Sequence, residues 1–204
     1  MREDYDSVGE AGSKDPGAAR HGNFINYYTF NPPENRLKHI PDTLLANLGV
    51  TDSPICILDI GCNAGVSASF NCLIHILLQT IMGLLQDLTS ALFRSFGTAD
   101  VRMLGVDLDQ QLVDRAVQNF TVEDRLQFQH LDIMSDNFQQ EAAKYLSRFN
   151  KTKFDLVTVF SVTMWVHLNL GDRGLEELVR RLVAVAACVL VEPQPWKCYQ
   201  TAAR

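Results

Sequence analysis

The residues whose type and spacing could do chemistry lie where apolar runs end. Asp59-Ile-Gly61-Cys-Asn63-Ala-Gly65 closes the run Ile55, Ile57, Leu58, Ile60; Asp107 closes Val101–Val106; and Asp132-Ile133 follows Leu126–Leu131. The first run reads as a strand buried on both faces, and the glycine turn after it lets backbone approach a small molecule. In open α/β sheets the ligand lies outside the carboxyl ends of the strands, which makes 59–65 the floor of a site. A carboxylate at the end of the second strand can accept both hydroxyls of a ribose diol. The plainer role of Asp107 and Asp109 is to cap a following helix, and the ligand role is assigned to Asp107 and the cap to Asp109. Asp132 can receive an adenine amino group while Ile133 packs on the ring.

The spacing excludes other ligands. The turn at Gly61–Gly65 has neither the three glycines that cradle a dinucleotide pyrophosphate nor the lysine of a P-loop, which argues against a nicotinamide-dependent oxidoreductase. The same strand followed by D-x-G-x-x-x-G is used by methyltransferases for the methionine end of S-adenosylmethionine.

These groups need a scaffold, and the chain supplies one. Its 204 residues are the length of one domain and 47% of them are hydrophobic, enough for a packed core. Twenty-four acidic against 18 basic residues give a net charge of −6, so any nucleic-acid contact must be local. Five cysteines without a C-x-x-C pair indicate neither a disulfide framework nor a metal site, and they fit a reducing, cytoplasmic location. Residues 1–20 are rich in charge, Gly and Ser and read as a disordered tail. Residues 21–204 read as the domain. A short helix is expected over Asp42–Leu48, strands over Val101–Val106, Leu126–Leu131, Lys153–Phe160 and Cys188–Val191, and helices over Asp87–Phe96, Gln110–Asn119 (stripe Leu112, Ala116, Val117), Gln139–Arg148 and Gly174–Ala187. Ser161–Asp172 is expected to be a loop, and the prolines of Glu192–Tyr199 predict a second, rigid loop.

Residues 66–86 stand apart. They carry no charge and are apolar all round a helix, a length at the lower bound of a membrane span, yet they lack basic flanks and contain Asn71, His75 and Gln79. Joining Gly65 directly to Asp87 restores a strand, turn and helix. The stretch therefore reads as an insertion. Valine codons begin with GT and one glutamine codon ends in AG, so its ends permit an unspliced intron.

Candidate cations and hydroxyls fall in three places. The arm 22–41 holds Phe24, Tyr27, Tyr28 and Phe30 ahead of Arg36, Lys38 and His39. It reads either as aromatics packed on the domain with solvated cations, or as a lid whose tyrosine hydroxyls and arginine face an anion. His167 reads as a partly buried, hydrogen-bonded histidine or as a group facing substrate. Lys197 sits at the same carboxyl edge.

Together, G-N-F-x-x-Y-Y-x-F-x-P-P-E-x-R-L (22–37), L-D-I-G-C-N-A-G (58–65), S-V-T-M-W-V-H-L-N-x-G-D (161–172) and E-P-Q-P-W-K-C-Y (192–199) resemble the bicoid-interacting family of RNA methyltransferases, in its branch acting on RNA 5′-monophosphates. The resemblance implies an α/β, Rossmann-like class I fold, its sheet incomplete at the C-terminal edge, because two further strands follow the fifth in that class. It implies S-adenosyl-L-methionine contacts from Arg36, Gly61, Asn63, Asp107, Asp132 and Ile133. It also implies an RNA 5′ end near Tyr27, Tyr28, 161–167 with His167, Gln194, Trp196 and Lys197, and small RNA substrates such as histidine tRNA and precursor microRNA. No metal, no stable membrane association and a monomeric state are expected. A 5′-monophosphate is mostly dianionic at neutral pH, its second pKa being about 6, so methyl transfer to its oxygen requires no general base. The competing readings are a catalytically impaired RNA-binding product and, behind it, a form anchored through 66–86.

Overall fold

The computed structural model describes residues 33–41, 43–50, 53–63, 88–97, 99–120 and 124–202. The tail 1–20, the aromatic arm with Tyr27 and Tyr28, and the stretch 66–86 lie outside the described residues. In chain order the elements are α1 (Pro33–Leu37), α2 (Leu44–Asn47), β1 (Ile55–Ile60), α3 (Leu88–Ser95), β2 (Val101–Asp107), α4 (Gln110–Phe120), β3 (Leu126–His130), α5 (Phe138–Ser147), β4 (Phe154–Phe160), α6 (Thr163–Val185), β5 (Ala186–Glu192) and α7 (Trp196–Ala202).

The five strands form one sheet in the order β3-β2-β1-β4-β5, parallel at every pairing. β1 is the central strand, and the chain winds outward from it first to one side and then to the other. The carboxyl ends of β1 and β4 therefore separate two oppositely running halves, and a ligand crevice opens there. Continuous apolar runs suit strands covered on both faces. Alternation along them divides the core: Cys56, Leu58, Ile60, Leu104, Val106, Val157 and Val159 face α5 and α6, while Ile57, Met103 and Leu156 face α3 and α4. Leu37, Leu44, Leu45 and Leu48 of the α1–α2 segment pack on the second layer and bring Arg36 to the sheet's carboxyl end.

Several local expectations are corrected. Residues 163–170 are not a loop: α6 starts at Thr163 and runs to Val185, broken at Gly171, whose φ of 67° is left-handed. The proline-rich segment is a loop only to Pro195. A proline is tolerated ahead of a helix because its missing N–H would have no intrahelical partner there, and Pro195 O accepts the N–H of Cys198 as α7 begins. In α4 the buried stripe is Leu112, Val113 and Ala116, with Val117 44% exposed, because Val117 falls at the edge of the arc that the sheet covers. β5 begins at Ala186, where the helix was expected to continue through Ala187. It is one of the two edge strands among the described residues, β3 being the other. No helix among them is long and apolar enough to cross a membrane.

Candidate active site

The turn after β1 is folded onto the end of β2. The N–H groups of Gly61 and Cys62 both donate to Val106 O, at 2.8 and 3.1 Å. The N–H of Asn63 donates to Asp107 Oδ2 at 2.9 Å. Asn63 has a φ of 55°, a left-handed conformation that asparagine tolerates better than most residues. Gly61, at φ 75°, has no such substitute: a Cβ there would lie 2.4 Å from Val162 Cγ2. The missing side chain keeps backbone open to the crevice.

Asp107 is buried and structural as well as available. Its Oδ1 accepts the N–H of Asp109 at 3.0 Å, and burial holds its carboxyl above the ordinary range, opposed by the backbone donors of Asp109 and Asn63. Asp109 Oδ1 caps α4 by accepting from Gln111 and Leu112. Asp132 is exposed beyond β3, its Oδ1 accepting the N–H of Met134 at 2.8 Å, and buried Ile133 follows. Arg181 of α6 fastens this turn through the carbonyls of Ile133 and Ser135.

One acidic group surpasses the sequence reading. Asp59 lies beneath the turn, buried, with Thr158 Oγ1 donating to Oδ1 and Thr89 Oγ1 to Oδ2, each at 2.5 Å. Desolvation pushes its pKa up to about 6, against the pull of both hydroxyls and of Arg36. Thr158 is its register partner on β4, a relation that strand periodicity alone does not reveal.

The opposite side is cationic and clasped. Arg36 donates from Nη2 to Ser161 Oγ at 2.7 Å and pairs through Nε with Glu192 Oε2 at 3.1 Å. Ser161 Oγ donates on to Glu192 Oε2 at 3.3 Å, and its N–H to Glu192 O at 3.0 Å. Gln194 donates from Nε2 to Ser161 O, while its Oε1 accepts the N–H of Met164 at 3.2 Å at the start of α6. Ser161 has a φ of 58°, and these partners hold it in that uncommon conformation. Glu192, Ser161 and Gln194 gain this role only through contacts between remote segments.

Asp59, Ser161, Glu192 and Gln194 border one cavity of about 940 Å³ at the carboxyl edge of the sheet, whereas Thr89, Thr158, Asp109 and Arg181 lie off its wall. Arg36, Gly61, Asn63, Asp107, Asp132, Ile133 and Lys197 of the expected set line it, with apolar walls from Leu131, Phe160, Val162 and Met164. His167 does not. Its Nδ1 meets Tyr199 Oη at 3.2 Å and its Nε2 meets Asp172 Oδ1 at 2.7 Å, off the cavity wall. No group of metal-ligating side chains is assembled among the described residues.

The chain is similar to a "Pre-miRNA 5'-monophosphate methyltransferase" of Danio rerio, 43% identical over 196 residues that cover 94% of this chain and 73% of the relative. It belongs to the bicoid-interacting family of RNA methyltransferases. The profile described as Bicoid-interacting protein 3 (Bin3) matches residues 154–204, which contain β4, the clasped Ser161 turn and α7. An "RNA 5'-monophosphate methyltransferase" of Mus musculus is 38% identical over 219 aligned positions, covering 97% of this chain and 70% of its own length. Among solved structures, the N-methyltransferase NodS of Bradyrhizobium japonicum is similar with a TM-score of 0.47 at 16% identity, over 84% of this chain and 75% of that one. The family is one of methyltransferases, and the parallel sheet wound outward from β1 is the class I arrangement that the resemblance implied.

Proposed function

We propose that this chain methylates the 5′-monophosphate of small RNAs, of the kind represented by histidine tRNA and precursor microRNA, with S-adenosyl-L-methionine as donor. The observation that carries this reading is the division of one cavity into an acidic, apolar half at β1–β3 and a half at the ends of β4 and β5 to which α1 and α7 bring the cations Arg36 and Lys197, beside Glu192. Asp107 and Asp132 suit the hydroxyls and amino group of an adenosine, Ile133 suits its ring, and the open backbone at Gly61–Asn63 suits the amino-acid portion. Arg36 is placed to pair with a carboxylate there. S-adenosylmethionine bound in this half supplies an electrophilic methyl group.

The chain's own residues then have a positioning task. Lys197, on α7, holds a phosphate by charge without removing a proton from it, since the dianion is already nucleophilic. Tyr27 and Tyr28 belong to the same task in this reading. His167, engaged with Tyr199 and Asp172, supports α7 rather than exchanging a proton with substrate.

The test is transfer of a radiolabelled methyl group to a 5′-phosphorylated small RNA beside its 5′-hydroxyl counterpart. Labelling of the first alone is the expected result; labelling of internal positions in both, or RNA binding with no transfer, overturns the proposal.

A further inference from the structure

Trp196 is the most exposed large hydrophobic side chain among the described residues, at 72%. Its ring is nevertheless fixed. It stacks on Tyr199 at 5.4 Å between centroids and 26° between planes. Tyr199 meets the ring of His167 edge-on at 5.6 Å and 74°, and hydrogen-bonds to its Nδ1. Asp172 holds the far nitrogen of the same imidazole. Three side chains from two helices thus set an indole in solvent, where it contributes nothing to the core and leaves a large apolar surface wet.

The neighbours of Trp196 say what such a surface would meet. Pro195 and Lys197 both border the cavity, whereas Trp196 stands just beyond its wall. α7, Trp-Lys-Cys-Tyr-Gln-Thr-Ala, carries one cation and no carboxylate in a chain of net charge −6. An exposed aromatic face beside a cation at the edge of a cavity that also holds Arg36 suits single-stranded nucleic acid, whose backbone follows the cation while a base lies on the ring.

We infer that Trp196 is a stacking platform for an unpaired nucleobase of the RNA whose 5′ end enters the cavity, with Tyr199, His167 and Asp172 as the residues that position it. The inference rests on the RNA reading above. Because Trp196 lies outside the cavity wall, the base it receives is downstream of the terminal nucleotide. Every base has a π-face, so the platform favours RNA over a free nucleotide without selecting a sequence.

The test is binding, by fluorescence anisotropy, of a labelled 5′-phosphorylated trinucleotide and of the same molecule lacking the bases of its second and third nucleotides, with methyl transfer to both followed in parallel. Stacking on an aromatic ring is worth about 1–3 kcal/mol per base, so Trp196→Ala is expected to weaken binding of the base-bearing oligonucleotide roughly 5- to 150-fold. Binding of the abasic one should be unchanged, and Trp196→Phe should restore most of the loss. His167→Gln is expected to produce a smaller loss with the same dependence on the bases. Equal weakening of both ligands, or none, overturns the platform, as does a shift of wild type but not Trp196→Ala from dimer to monomer on dilution, which would assign the face to a second copy. Base-dependent binding without any transfer keeps the platform and overturns the enzymatic reading; transfer without dependence on Trp196 does the reverse.

Discussion

Arg36 Nε and Glu192 Oε2 lie 3.1 Å apart, joining the first described helix to the last strand of the sheet at the cavity wall. The arginine is nearly buried and the glutamate is 43% exposed. A pair so placed contributes about 0–1 kcal/mol to folding, but it presents the guanidinium at a fixed position. Arg36→Ala is therefore expected to change stability little. Affinity for S-adenosylhomocysteine should fall roughly 10- to 100-fold by calorimetric titration, since a charged hydrogen bond to a carboxylate is worth about 1.5–3 kcal/mol.

Asp59 predicts how stability responds to pH. Burial raises its pKa from 3.8 to about 6 in the folded chain, so between those values the folded state holds more protons than the unfolded one. Stability then falls as pH rises through this window and is flat above it, by an amount on the order of 3 kcal/mol. Asp107, also raised, acts in the same direction. Urea unfolding from pH 4 to 8 should show this slope in the wild type and a much shallower one in Asp59→Asn, with the variant the more stable at pH 7.

Gly61→Ala places a Cβ 2.4 Å from Val162 Cγ2 at a left-handed φ. The expected cost is about 2–4 kcal/mol in urea midpoint measurements, the sum of backbone strain and overpacking, with loss of cofactor binding. Val162→Ala in the same chain should recover the packing part and leave the backbone part. Full recovery would mean that the conformation of the turn carries no strain.

His167 touches Tyr199 and Asp172 rather than the cavity. In His167→Gln the rate of methyl transfer at saturating RNA should keep the wild-type pH profile, rising as the 5′-phosphate loses its second proton near about pH 6. KM for RNA should rise instead. A variant whose rate no longer rises with the wild-type midpoint would restore the histidine as a proton-exchanging group.

Strand ends and glycine turns were legible because each depends on neighbours in the chain: the apolar runs of β1, β2 and β4 require burial on both faces, and Gly61 is demanded by its own turn. Asp107, Asp132 and Ile133 could be placed at the cavity for the same reason, since in a parallel sheet the residue after each strand must appear at one edge. The sequence by itself therefore determined the layered sheet and the acidic half of the cavity. The cationic half was decided by tertiary structure. Pairing of β4 with β5 sets Ser161 beside Glu192, packing of α1 brings Arg36 to both, and the register of β1 on β4 puts Thr158 against Asp59. Burial and hydrogen bonding between segments remote in sequence leave no periodic signal. The part of α6 before Gly171, and all of α7, were hidden for a related reason: Gly171 and the prolines of 192–199 favour a loop locally, but a left-handed kink and a helix start accommodate them once Gln194 provides the surrounding contacts.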